Sequence, residues 1–266
     1  MVADDNTPVQ SVVRAADVLL SLLGGPLSLA NIADVTGLRK PTVHRLLATL
    51  SLSQLVIQNP ATREYLLGPT CLGIADAVRR GLGGMDVIAG KHMQSLVDAT
   101  QETVALYALV GTQRLCLASI PSPQPIRYTS DVGATKPLYS GSMGKILLAF
   151  TDESRRRELL DQMHLVPITA ETITDRAVLD KQLAEARSQG YLVTRAEQTD
   201  EVASISAPVF SENGQVLAAL SVLGPSVRMP DTVMARLRPT VIAAADEISR
   251  ELGYVPGHST AASSAV

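Results

Sequence analysis

Apolar residues recur at helical spacing through the first fifty positions and then, briefly, at the spacing of strands. In VQSVVRAADVLLSLLGG, Val12, Val13, Ala16, Leu19, Leu20 and Leu23 predict the inner face of a helix. Gly24-Gly25-Pro26 ends it, since glycine permits a reversal and proline cannot continue the helix. SLANIADVTGL predicts a second, shorter helix capped by Ser28, with Leu29, Ile32, Ala33 and Val35 as candidates for its buried side and Gly37 as its stop. GLRKPTVHRLLATL predicts a third, because Val43, Leu46, Leu47 and Leu50 fall at i, i+3, i+4 and i+7 and share one face. LVIQNPATREYLLG then reads as a strand, a turn on Asn59-Pro60 and a second strand from Tyr65 to Leu67. Three helices with a glycine turn before the third make a helix-turn-helix, and the hairpin gives it a wing.

Further on the pattern changes. PTCLGIADAVRRGLGG predicts a helical connector ending at Gly81, Gly83 and Gly84, and residues 85–99 a helix. ETVALYALVGTQRLCLASI places apolar strand formers on both sides of Gly111-Thr112, as in an antiparallel pair. GSMGKILLAF begins a helical segment; TDESRRRELL begins another, with Thr151 as its expected cap. A longer helix follows, stopped by Gly190 and leading into a strand. SISAPVFSENGQVLAALSVLG is a hairpin turning on Asn213-Gly214. Residues 231–252 predict a closing helix, and GHSTAASSAV has the composition of a disordered tail. The expected class is α+β: a winged helix-turn-helix at 8–70, a connector at 71–84, an antiparallel sheet with helices against it at 85–255, and the tail at 256–266.

Composition narrows the function. The 266 residues are 46% hydrophobic and 18% charged, which is the balance of a folded chain. Net charge is -3, so any contact with nucleic acid must come from a local patch. Two cysteines, Cys71 and Cys116, give no disulfide framework, and the start MVADDNTPVQ is acidic where a secretory signal would be basic and then apolar. No apolar run is long enough to span a membrane, so a cytoplasmic location is expected. The four histidines are scattered, which argues against a metal site. SMGK lacks both the glycine five residues before Gly144 and a hydroxyl residue after Lys145, so it is not a phosphate loop. No catalytic set and no cofactor are expected.

SLANIADVTGLRKPTVHRLLATL, YLLGP, KPLYSGSMGKILLAF, SQGYLVTRAE, SISAPVF and LSVLGPSVRM occur in that order between residues 11 and 252. With these motifs the chain resembles the IclR-type bacterial transcriptional regulators. The resemblance implies a winged module that reads a double-stranded operator and a GAF-like effector-binding domain. It also implies homodimers that pair into tetramers, and small organic effectors, often carboxylates or aromatic compounds. The function implied is ligand-responsive control of catabolic genes, with repression favoured over activation. The alternatives are a ligand sensor or scaffold that does not bind DNA, and an enzyme acting on a small metabolite. Relatives commonly carry a capping serine where Arg39 stands. A cation there is unfavourable by a few tenths to about 1 kcal/mol, and a nearby phosphate reverses that sign. Relatives also often have glycine near Glu201 and cysteine at the Ser204 position, so an effector does not carry over to this chain.

For DNA, Thr42, His44 and Arg45 are the candidates for the major groove, with Arg45 suited to guanine. Arg39 and Lys40 suit phosphates, Arg63 suits phosphate or the minor groove, and Arg14 either clamps the backbone or merely solvates its helix. For the effector, Ser142, Met143 and Gly144 at a helix start offer unpaired N–H groups to an acidic or hydrogen-bond-accepting head. Ser204 and Ser206 share a strand face, and Ser221 joins them from the paired strand. Leu106, Tyr128 and Tyr139 are expected to supply walls, along with Met143. Each serine has the alternative role of satisfying local backbone groups.

Overall fold

The structure, a computed structural model, describes residues 8–81 and 84–256. The expected tail lies, from residue 257 on, outside the described residues. The chain divides into two compact units between residues 83 and 84.

The first unit contains α1 (Gln10–Ser21), α2 (Leu29–Thr36), α3 (Lys40–Leu52), the hairpin β1 (Val56–Gln58) and β2 (Tyr65–Leu67), and α4 (Thr70–Gly81). Val18, Leu22, Ile32, Ala33, Val43, Leu47, Leu50 and Val56 form its core. Ser28 caps α2 by accepting the Asn31 N–H at 3.2 Å, and Gly37 ends it at φ 67°. The wing is tied back to the start of α2, because Leu27 and Tyr65 exchange backbone hydrogen bonds of 3.0 and 2.8 Å.

The inner face of α1 differs from expectation. Its buried stripe is Val18 and Leu22, flanked by Ala15 and Leu19, whereas Val12, Val13, Ala16, Leu20 and Leu23 are exposed. Two apolar stripes at helical spacing run along this helix and overlap at Leu19. A three-helix module covers only one of them. Val35 is likewise exposed, since it falls off the Leu29–Ile32–Ala33 side of α2.

The second unit runs α5 (Met85–Thr100), β3 (Thr103–Val110), β4 (Gln113–Ile120), β5 (Thr135–Pro137), α6 (Ser142–Phe150), α7 (Glu153–Gln162) and α8 (Arg176–Gln189). Then come β6 (Leu192–Arg195), β7 (Val202–Phe210), β8 (Val216–Pro225) and α9 (Asp231–Glu251). The strands form one antiparallel sheet in the order β5-β4-β3-β8-β7-β6. Strand alternation divides the core in two. Val104 and Leu106 of β3 join the cluster with α5 and α9, while Ala105 and Tyr107 join the cluster with α6, α7 and α8. The sheet is therefore the middle of three layers. Thr151 is not the cap of α7: Asp152 occupies that position and accepts the Arg155 N–H at 2.9 Å.

Candidate functional site

The start of α3 is a cluster of uncompensated cations. Arg39 stands at its N-cap position without a side-chain cap bond, and Pro41 occupies the first turn, where no intrahelical donor is lost. Val43, Leu47 and Leu50 turn inward, which leaves Arg39, Lys40, His44 and Arg45 exposed and Thr42 half-buried. Arg14 of α1 meets this helix: it lines an open groove with Thr42, Arg45 and Thr49. Arg63 is exposed on the wing at φ 62°, and its carbonyl accepts Gln58 Nε2 at 2.8 Å. No described carboxylate forms an ion pair with Arg14, Arg39, Lys40, Arg45 or Arg63. Their charge is available to an anionic partner.

In the second unit the predicted serines converge. Ser142 Oγ lies 2.7 Å from Ser204 Oγ and 2.6 Å from Ser206 Oγ, and Ser206 Oγ lies 2.6 Å from Ser221 Oγ. Strand register accounts for this, since Ser206 pairs with Ser221 across β7 and β8. Thr194, which sequence reasoning missed, pairs with Ser204 across β6 and β7, and their hydroxyls are 3.0 Å apart. All five hydroxyl residues are buried, so the chain of bonds satisfies groups that would otherwise be costly to dehydrate.

The start of α6 is occupied by the protein itself. Ser142 donates its N–H to Thr194 Oγ1 at 2.9 Å, and Gly141 donates its N–H to Glu197 Oε2 at 3.0 Å. The same Glu197 oxygen is 2.5 Å from Lys145 Nζ, which also donates to Gln182 Oε1 at 2.6 Å. Burial pushes the Lys145 ammonium below the usual lysine value, and Glu197 pulls it part of the way back. A carboxylate already sits at the positive end of this helix, so the expectation of a ligand head held by Ser142–Gly144 is not what the geometry favours.

Two small cavities open beside this cluster. One, with about 20 Å³ open to the centre of a water-sized sphere, is bounded by Gly141, Met143, Thr194, Glu197 and Ser204. The other, of about 50 Å³, is bounded by Tyr107, Cys116, Ser130, Asp131 and Lys136. Arg114 and Tyr128 belong to the walls of both.

Several predicted residues stand elsewhere. Leu106 faces α5 and α9, on the opposite side of the sheet, so it is not a wall of this site. Gly144 is a packing residue: a Cβ there would meet the Leu138 carbonyl oxygen at 2.3 Å. Tyr139 is buried in the core with its hydroxyl donated to the Val166 carbonyl at 3.1 Å, and Ser206 and Ser221 lie behind Ser204, away from both cavities.

Arg114 was also missed. It is 2% exposed on β4. Nη1 donates to the carbonyls of Pro137 at 2.5 Å and Ser140 at 2.8 Å, Nη2 donates to Gln198 Oε1 at 3.1 Å, and the guanidinium carbon is 5.7 Å from the centre of the Tyr107 ring. An arginine at an inward register of an apolar strand was the available signal.

Among the described residues no cluster of histidine, cysteine, aspartate and glutamate could hold a metal ion, and no helix is long and apolar enough to cross a membrane.

Comparison with known proteins identifies both units. Residues 11–60 match the IclR helix-turn-helix domain, and residues 82–250 match the bacterial transcriptional regulator IclR C-terminal domain. The transcriptional regulator BhcR of Paracoccus denitrificans is 32% identical over 248 residues, covering 93% of this chain and 88% of that protein. The regulator Rv1719 of Mycobacterium tuberculosis is 35% identical over 224 residues, covering 83% and 84% respectively. The crystal structure of Thermotoga maritima IclR superposes with a TM-score of 0.78 at 26% identity, covering 93% of this chain and all of that one.

Proposed function

The chain belongs to the IclR family of bacterial transcriptional regulators, and from that premise we propose that it is a cytoplasmic repressor of catabolic genes, released from its operator by a small organic molecule. The observation that carries the reading is the exposed, unpaired cationic start of α3 in one unit together with a buried polar site in the other. DNA reading and ligand sensing are thereby given to different units. Arg45, Thr42 and His44 take the base edges; Arg39, Lys40, Arg14 and Arg63 take phosphates. The effector occupies the cavities around Tyr128, Met143 and Ser204. The chain acts as a homodimer, because one small module makes few base contacts and two-fold symmetry doubles them over neighbouring half-sites. Pairing of dimers into tetramers extends the same arrangement.

The test is a footprint on the DNA upstream of the protein's own gene, repeated with a panel of small aliphatic and aromatic acids. The expected result is protection of two related half-sites that one acid abolishes. Full occupancy of an isolated half-site by monomer would sink the dimer, and protection that strengthens with ligand while transcription rises would make the protein an activator.

A further inference from the structure

We infer that Arg114 is the residue that recognises the effector, and that the effector therefore carries a planar two-oxygen anion, a carboxylate. This rests on the reading of the second unit as an effector-binding domain.

The inference follows from counting donors. A guanidinium has five N–H groups. Three are used, by the carbonyls of Pro137 and Ser140 and by Gln198 Oε1. The Nε–H has no partner, although the side chain is 2% exposed. The two N–H groups left over belong to Nε and Nη2, the pair that forms the side-on fork fitting both oxygens of a carboxylate.

The charge is unmet as well as the bond. The titratable neighbours that act on Arg114 are Tyr107, Tyr128 and Cys116, none of them a carboxylate. Burial holds the Tyr107 hydroxyl above its ordinary value and the Cys116 thiol up at about 11, so neither supplies a counter-charge at neutral pH. Glu197, on the smaller cavity, is engaged by Lys145. Asp131, on the larger one, forms no ion pair with Arg114. A buried cation without an anion is unfavourable, and an entering anion removes that penalty.

The two cavities meet at this residue. Tyr128, half-buried on the irregular segment between β4 and β5, is the other wall they share. Its displacement joins them into one pocket with Arg114 at the middle, hydroxyls of Ser204 and Thr194 on one side and the Tyr107 ring on the other. The head then lies against β4 rather than at the start of α6.

The test uses the full chain and two probe pairs, benzoate against benzamide and pyruvate against pyruvamide, read by calorimetric titration and by thermal unfolding. At least one carboxylate is expected to bind, with its amide much weaker. Arg114→Met should weaken that carboxylate by about 30-fold or more and bring it level with the amide, and leave ligand-free operator affinity unchanged. Arg114→Lys keeps the charge without the fork, so it should lose about 10-fold and carries the test if Arg114→Met does not fold. Equal carboxylate affinity in wild type and both variants overturns the role of Arg114 while leaving an effector domain in place. Binding of an amide but of neither acid does the same. Binding of none of the four overturns the inference and removes these classes from the effector reading itself.

Discussion

The buried pair Lys145–Glu197 makes a quantitative prediction. Lys145 is 0% exposed and Glu197 6%, with Nζ 2.5 Å from Oε2. Lys145→Met leaves Glu197 its bond from the Gly141 N–H and lets the half-buried Gln182 turn toward solvent. Glu197→Gln leaves an ammonium in the core with a neutral acceptor. Removing one member of such a pair typically costs about 3–5 kcal/mol, and Lys145→Met should fall at the lower end because its orphaned carboxylate keeps a donor. Replacing both removes the uncompensated charge, so Lys145→Met/Glu197→Gln should lose no more than about 2 kcal/mol. The coupling is then at least about 4 kcal/mol. The sign of the pH effect also follows. In Glu197→Gln the lysine value is depressed further in the folded state, so the unfolded chain binds the extra proton between that value and 10.5. Stability of this variant should therefore rise with pH across that window, an effect absent from both proteins that carry Lys145→Met. The chain has no tryptophan, so urea unfolding followed by far-ultraviolet circular dichroism is the assay, with the two units fitted as separate transitions. Additive single-variant effects, or a double variant as unstable as the sum, would refute the argument.

Arg45→Ala should cost about 1–3 kcal/mol at the preferred operator and relax its sequence preference, whereas Lys40→Ala should weaken all DNA alike and lower the salt slope by about 1. Identical behaviour of the two in a salt-dependent gel shift would contradict that division of roles. Ser206→Ala should destabilise the second unit by about 1–3 kcal/mol, because Ser206 bridges the buried Ser142 and Ser221 hydroxyls at 2.6 Å each; a change within error in urea unfolding counts against a cooperative hydroxyl chain. Asp152→Ala should cost about 1 kcal/mol at neutral pH through the lost cap of α7. Hydrogen bonding from the Arg155 N–H holds the Asp152 carboxyl below its ordinary 3.8, so its contribution is present above that value and lost as pH falls through the lower folded one. A gap between wild type and Asp152→Ala that persists at pH 2 would contradict this.

What was legible in the sequence was local. The α3 stripe, the Ser28 cap, the Gly37 stop and the Asn213-Gly214 hairpin each depend on a few neighbouring residues, and each is found where the pattern put it. The serine cluster was legible for a related reason: period-2 alternation on β7 and β8 fixes which of their residues share a face, although the turn between them is a longer loop closed by Ser211 and Gln215 with a bulge at Val209/Phe210. Alternation does not say which face meets which helix, and Leu106 was placed on the wrong side for that reason. Periodicity likewise put the wrong stripe of α1 inside, Leu19 excepted, because a second stripe through Val18 and Leu22 has the same spacing. Arg114 was visible only as an arginine at an inward register of β4, with its partners unspecified, while the pairing of Lys145 with Glu197 was out of reach because it joins α6 to the segment after β6 across more than fifty residues.

The size of the cavities has a consequence for how such a domain responds. Both cavities are narrow, and Arg114 and Tyr128 stand in the walls of both. On the proposed effector reading, an acid that spans both cavities displaces Tyr128, and with it the segment held by the bond from Thr103 Oγ1 to the Tyr128 carbonyl at 2.5 Å. That reading implies a closed arrangement and an open one, with the measured ligand affinity equal to the intrinsic affinity reduced by the fraction that is open. DNA affinity changes only through the difference in ligand affinity between the two, typically 1–3 kcal/mol. Tyr128→Ala removes the wall without touching the guanidinium. It should tighten carboxylate binding by enlarging the open fraction and weaken the contrast in operator affinity with and without ligand. Weaker carboxylate binding in that variant would mean that Tyr128 is a contact of the ligand and not the partition between two cavities.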